Sequence, residues 1–289
     1  MIADIFAAAL HFFCEKIDQF LGILTTDITT FQDGAIWKAV SNLYDAMLAM
    51  GLTIAGMLIW IGLLQSTSRY AELKRATVWI QFLTEIIIAN AVLYYGKYLL
   101  LECIKIGQGM TKRMMTVTGM VADDGTSIFH ITVPDALNSA IGRMSITKQI
   151  GIFIVVIIAA VWIVISTCGV LLSVYGRLFN MYLLIAISPL PVSTVISKQT
   201  RFVFFNFFKT FLAVVLEALV MVLVLYLFQA FFTSGFNVEW SRYMGSGSSG
   251  AISDDSRVFN YMAEMSFLFL MLFGMLKGTD KLVNRVFGI

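Results

Sequence analysis

Three carboxylates stand inside otherwise apolar runs of this chain: Glu85, Glu217 and Glu264. Each carries a proton it can give or take. Placing such a group in hydrocarbon costs about 2.5–3.5 kcal/mol on insertion scales, so it normally faces a cavity or a partner. Two kinds of chemistry follow, lining for a water-filled path and proton coupling. The structural alternative is a protonated or hydrogen-bonded contact that fixes one helix on another. Asn90 shares its apolar run with Glu85 and joins the same set of pore-lining or interhelical polar residues.

Other chemistry has little footing. Cys14, Cys103 and Cys168 are far apart and without a CxxC spacing, which reads as small apolar packing residues. His11 and His130 are isolated, so no metal site is expected. No GxxxxGK[ST] phosphate loop, HExxH or GxSxG occurs, so neither nucleotide hydrolysis nor another enzymatic activity is expected, and no cofactor. A net charge of +2 offers no global basic field for nucleic acid.

The elements that must hold those carboxylates are set by composition. Hydrophobic residues fill 59% of the 289 positions and charged ones 13%, against about 25% charged in ordinary soluble domains. Several runs reach the roughly 20 residues that span a hydrocarbon core. Three prolines in the whole chain, and no series of alternating segments, favour helices over a β-barrel. The expected fold is an all-α polytopic membrane protein with about five to six transmembrane helices.

Residues 1–45 read as an amphipathic helix and a polar connector. Ile5, Phe6, Ala9, Leu10, Phe13, Ile17, Phe20 and Leu21 make one apolar face, opposite His11, Glu15, Lys16, Asp18 and Gln19. That helix lies on the membrane, on a partner subunit or on its own domain. Asp4, Glu15 and Asp18 break any signal-peptide pattern. Residues 46–103 hold two spans. In the first, Gly51, Ala55, Gly56 and Gly62 would let another helix approach closely. In the second, Trp79 marks one interface and Tyr94, Tyr95 and Tyr98 the other. Residues 104–148, where the chain turns polar and carries Gly107, Gly109 and Gly119, read as a loop leaving the bilayer, with a short helix after Pro134.

Residues 149–233 form a transmembrane cluster. Its first run is uncharged up to Arg177, and the next contains Ser188-Pro189-Leu190-Pro191. Two prolines two residues apart interrupt a helix, because each lacks an amide donor and disfavours helix before it. Ser188, Pro189 and Pro191 therefore mark a break that serves as a hinge, a pore constriction or a tight turn between two packed helices, and the segment 178–197 is either a kinked span or a re-entrant one. Residues 234–257 are a glycine-serine loop, and residues 258–289 hold the last span and a basic tail. Arg69, Lys74 and Arg75 form the natural cytoplasmic anchor loop, which puts the N-terminus outside. A re-entrant 178–197 would bring Arg177, Lys198, Arg201, Lys209 and the tail inside as well.

The segment Met181-Tyr182-Leu183-Leu184-Ile185-Ala186-Ile187-Ser188-Pro189-Leu190-Pro191, then Phe205-Asn206-Phe207-Phe208-Lys209-Thr210-Phe211 and a long apolar span, carries a resemblance. It is similar to the TrbL-type polytopic inner-membrane subunit of type IV secretion and conjugation machines, in the version found on mobile elements of Gram-positive bacteria. There an apolar helix ends in a small-residue and proline turn, and an aromatic- and Lys-containing segment starts the next span. The resemblance implies a channel component in the plasma membrane that associates with itself. Its implied partners are secretion ATPases and a cell-wall-facing subunit, with DNA and its relaxase as transient cargo. No stable small-molecule ligand is expected. Two other classes stay open: a secondary transporter or ion-coupled permease for a small solute, which the broken helix and buried glutamates would suit, and a membrane scaffold or accessory pore protein.

Overall fold

A computed structural model describes residues 2–67, 76–120, 146–197, 199–234 and 254–288. Every regular element among them is helical. In chain order these are α1 (Ile2–Thr25), a 3₁₀ turn (Phe31–Gly34), α2 (Ala35–Thr67), α3 (Ala76–Val117), α4 (Ile146–Ile187), the short α5 (Pro189–Ser193), a 3₁₀ turn (Thr194–Ile196), α6 (Arg201–Ser234) and α7 (Asp254–Phe287). Among the described residues four stretches are long and apolar enough to cross a membrane: Phe31–Gly62, Gly151–Ile196, Arg201–Phe232 and Phe259–Phe287. The chain is built as a multi-pass membrane protein.

Two compact units divide the helices. The first comprises Met1–Thr25, Thr111–Tyr175 and Leu219–Thr279. Its core forms on the apolar face of α1, where Phe6, Leu10, Phe13, Ile17, Phe20 and Leu24 are all buried. Phe13 meets Phe269 of α7 edge-to-face, with ring centroids 4.7 Å apart, and Phe228 of α6 at 6.0 Å. Phe6 meets Tyr261 of α7 at 6.2 Å. The apolar face of α1 is therefore docked on its own domain, one of the three placements open to it. On the opposite side Lys16 reaches Glu15 and Gln19, each at 3.2 Å.

The second unit comprises Thr26–Met110, Gly176–Ala218 and Asp280–Ile289. Its entry is a tight turn. The Asp27 carboxylate accepts from the amide and the hydroxyl of Thr29, both at 2.9 Å. Gln32, Asp33 and Gly34 then take positive φ in succession, the left-handed region that only glycine enters without cost. Tyr182 of α4 donates to the Ile28 carbonyl at 2.7 Å, and Gln108 of α3 donates to that of Thr26 at 2.8 Å. Below that turn Tyr44, Leu100, Ile104, Met181, Tyr182, Ile185, Phe211 and Val215 form the core.

Three element boundaries differ from the sequence reading. α2 begins at Ala35, not at residue 46, because 35–45 continues the helical spacing and buries Val40 and Tyr44. α3 runs to Val117, well past residue 103. Its continuation contains no proline and buries Ile104, Thr111 and Met115, so packing carries the helix through a stretch whose glycines suggested a loop. α4 passes through Arg177 without interruption, 42 residues long; at 1.5 Å per residue that is about 63 Å. The anchor residues Arg69, Lys74 and Arg75 lie outside the described residues, as do residues 121–145, with the short helix expected after Pro134, and the glycine- and serine-rich residues 245–250.

Exposed apolar side chains line α2, where Met50, Met57, Trp60 and Leu64 point away from the core, and α3 and α4 carry others. Tyr94, Tyr95 and Tyr98 are exposed on α3, as aromatic residues at a membrane interface would be. Beside them Lys97 Nζ donates to Ser41 Oγ and lies over the rings of Trp37 and Tyr44, 5.4 and 5.2 Å from their centroids. The ammonium is held by two aromatic faces and a hydroxyl in place of water.

Candidate functional site

The second unit holds Pro189 and Pro191 and two of the three carboxylates, Glu85 and Glu217. The proline segment is broken as its sequence requires. α4 stops at Ile187, Pro189 opens α5 in its first turn, and the 3₁₀ turn ends in extended backbone at Ser197. Around the break, hydroxyls bond to carbonyls three residues back. Ser188 Oγ donates to Ile185 O at 2.7 Å, Ser193 Oγ to Leu190 O at 2.6 Å, and Thr194 Oγ1 to Pro191 O at 2.7 Å. An irregular backbone inside a membrane is tolerated only where protein or water covers it. Here α2 covers it. A Cβ on Gly51 would stand 2.7 Å from the Pro189 carbonyl oxygen, so α2 meets the break backbone to backbone. Next along α2, Ala55 packs with Leu93, Val192 and Ile196. Gly56 has nothing within 4 Å and is not part of that approach.

On the α4 side of the break lies Arg177, 5% exposed. Its Nε donates to the Val214 carbonyl of α6 at 3.0 Å, and Nη2 approaches that of Val215 at 3.4 Å. Glu217 follows on α6, 4% exposed, close enough for its charge to act on the guanidinium. Burying either charge alone would cost several kcal/mol, and together they offset much of that. α3 seals the same region, because a Cβ on Gly107 would run into Val215 Cγ1.

Glu217 also lines a cavity of about 270 Å³ between α4, α6 and the end of α7. Polar groups come from Asn180, Thr210, Glu217, Asp280 and Asn284, and an apolar wall from Leu183, Leu184, Ala213, Val214 and Val283. Each helix supplies its share at helical spacing: Asn180 with Leu183 and Leu184, Thr210 with Ala213, Val214 and Glu217, Asp280 with Val283 and Asn284.

The expected residues are thus unevenly assembled. Glu217, Ser188, Pro189 and Pro191 belong to one unit. Asn90 is exposed on α3. Glu85 lies on the same helix, but its side chain is outside the described residues. Glu264 is half-buried on α7 in the first unit and takes no part in this cavity. Cys14 and Cys103 are partly buried, whereas Cys168 is exposed on α4. Arg177, Asn180, Asp280 and Asn284 were not singled out by sequence. Their signal was present in the spacing 177-180 on one apolar helix and 280-284 on another, which puts polar groups on one face of each. Among the described residues no group of histidine, cysteine and carboxylate side chains has the spacing of a metal site.

No family model matches the chain, and no curated protein or solved structure matches it.

Proposed function

We propose that this protein is a membrane-embedded channel subunit of a conjugative type IV secretion machine, moving DNA with its relaxase across the plasma membrane. The observation that carries this reading is the unit from α4 through the proline turn into α6. The residues that resemble the TrbL-type subunit, 181–191 and 205–211, form an apolar helix, a small-residue and proline turn, and the aromatic, Lys209-containing start of the next long helix. That is the element order the resemblance implies. In this reading residues 76–97 of α3 add a fifth span to the four apolar stretches, and 178–197 is the broken segment at membrane depth. The N-terminus then lies outside and Arg69, Lys74 and Arg75 inside.

The exposed apolar face of α2 suits lipid and further copies of the chain, as a ring-forming subunit requires. The chain would draw energy from partner ATPases. Affinity purification of the full chain from membranes of its host, after mild cross-linking, tests the partners. Recovery of further copies of itself with a secretion ATPase and a cell-wall-facing subunit is expected. Recovery of the chain alone, with unchanged solubility and yield, contradicts the reading.

A further inference from the structure

We infer that the cavity between α4, α6 and α7 is a binding site for a small organic monocation, an ammonium group on an apolar body. This goes beyond the proposed channel role and stands apart from it. It also runs against the expectation that the chain holds no small molecule.

Charge decides the sign of the ligand. The lining contains two carboxylates, Glu217 and Asp280, and no basic residue. Arg177, the nearest buried cation, is not in the lining; its guanidinium is bonded to the Val214 and Val215 carbonyls and balances Glu217 from behind the wall. Two negative charges against one positive leave one net negative charge facing the space. An anion would meet like charge here, and a neutral ligand would leave that charge unmatched.

Hydrogen bonding narrows the class. An ammonium group has three donors and no acceptor. The lining offers the carboxylates, the amide oxygens of Asn180 and Asn284 and the Thr210 hydroxyl as acceptors, from three different helices. The opposite wall, Leu183, Leu184, Val214 and Val283, has nothing to offer a hydrated metal ion but would cover an apolar body. Size agrees: about 270 Å³ is far more than one ion needs, and an engineered apolar cavity of about 150 Å³ holds benzene. A ring with a short aminoalkyl arm fits the remaining volume.

The test uses the full chain purified in detergent and three probes of one size: phenethylammonium, 2-phenylethanol and phenylacetate. Phenethylammonium should raise the thermal midpoint in a concentration-dependent way, as a ligand of the folded state does, and the other two should not. Asp280→Asn, a change at an exposed position, should weaken that binding by at least about tenfold, the loss of one charge-assisted hydrogen bond. Asp18→Asn on α1, an equal charge change outside the cavity, should leave it unchanged. Equal stabilisation by the alcohol, no stabilisation by phenethylammonium, or unaltered binding by Asp280→Asn overturns the proposal. So does sodium chloride alone reproducing the whole effect, since that would make the site one for a metal ion. Should Asp280→Asn fail to fold, Asn284→Ala and the three-probe comparison on the wild type still decide it.

Discussion

Arg177 and Glu217 are where this chain places its most exacting chemistry. Removing one of two buried opposite charges strands the other, and for ion pairs in other proteins the cost is about 3–5 kcal/mol. Arg177→Ala should therefore sharply lower the denaturation midpoint of the detergent-purified chain. Arg177→Met combined with Glu217→Gln should recover most of the loss, and a double-mutant cycle reads the coupling. Additive losses would mean that the two side chains do not act as a pair. On α3 of the second unit, burial pushes the Cys103 thiol above its ordinary value. A raised thiol holds less thiolate at any given pH, so alkylation of Cys103 should still be rising with pH where a free cysteine has levelled off. N-ethylmaleimide labelling followed by mass spectrometry gives the profile. At this scale the sequence made Glu217 conspicuous, because a carboxylate in an apolar run stands out. It left Arg177 looking like punctuation, since a single cation between two apolar runs is also what a loop carries. Only the folded α4 distinguishes the two.

Between helices, one glycine matters and its neighbour does not. Gly51 meets the Pro189 backbone, which cannot yield as a side-chain tip can, whereas Gly56 faces open space. Gly51→Ala should destabilise the chain by about 1–3 kcal/mol through overpacking, while Gly56→Ala should be neutral or slightly stabilising through helix propensity. Thermal unfolding of the two variants side by side settles it, and equal effects would mean that α2 does not rest on the proline break. On the first unit, Phe13→Ala removes a ring packed against Phe228 and Phe269; the expected cost is about 3–5 kcal/mol, read as earlier protease cleavage near α1. The amphipathic pattern of α1 and the proline interruption were both legible, since periodicity and the missing amide of proline act locally. What covered the α1 face was not, because a helix of that pattern has the same residues whether lipid, a partner or its own domain lies beneath. The extension of α3 past residue 103 was hidden for a related reason. Gly107 and Gly109 read as loop signals, yet Gly107 is small because Val215 comes within touching distance.

For the molecule as a whole, residence in a bilayer was the most legible property, since run length and polarity demand it and tertiary contacts hardly enter. Four stretches of the folded chain meet that demand. The role is a different kind of inference. Channel subunits contribute shape and association, and neither leaves a motif of the sort that a phosphate loop or a metal site leaves. The helix, proline turn and aromatic helix start at residues 181–211 carry the reading instead, so the whole account turns on whether this chain is needed for transfer. An in-frame deletion in the host element, with mating frequency measured against the wild type and a complemented strain, is the direct measurement. The account predicts that transfer falls to background and returns with the wild-type gene, and that Gly51→Leu, which wedges α2 off the proline break, fails to restore it. A transfer frequency unchanged by the deletion would contradict the account.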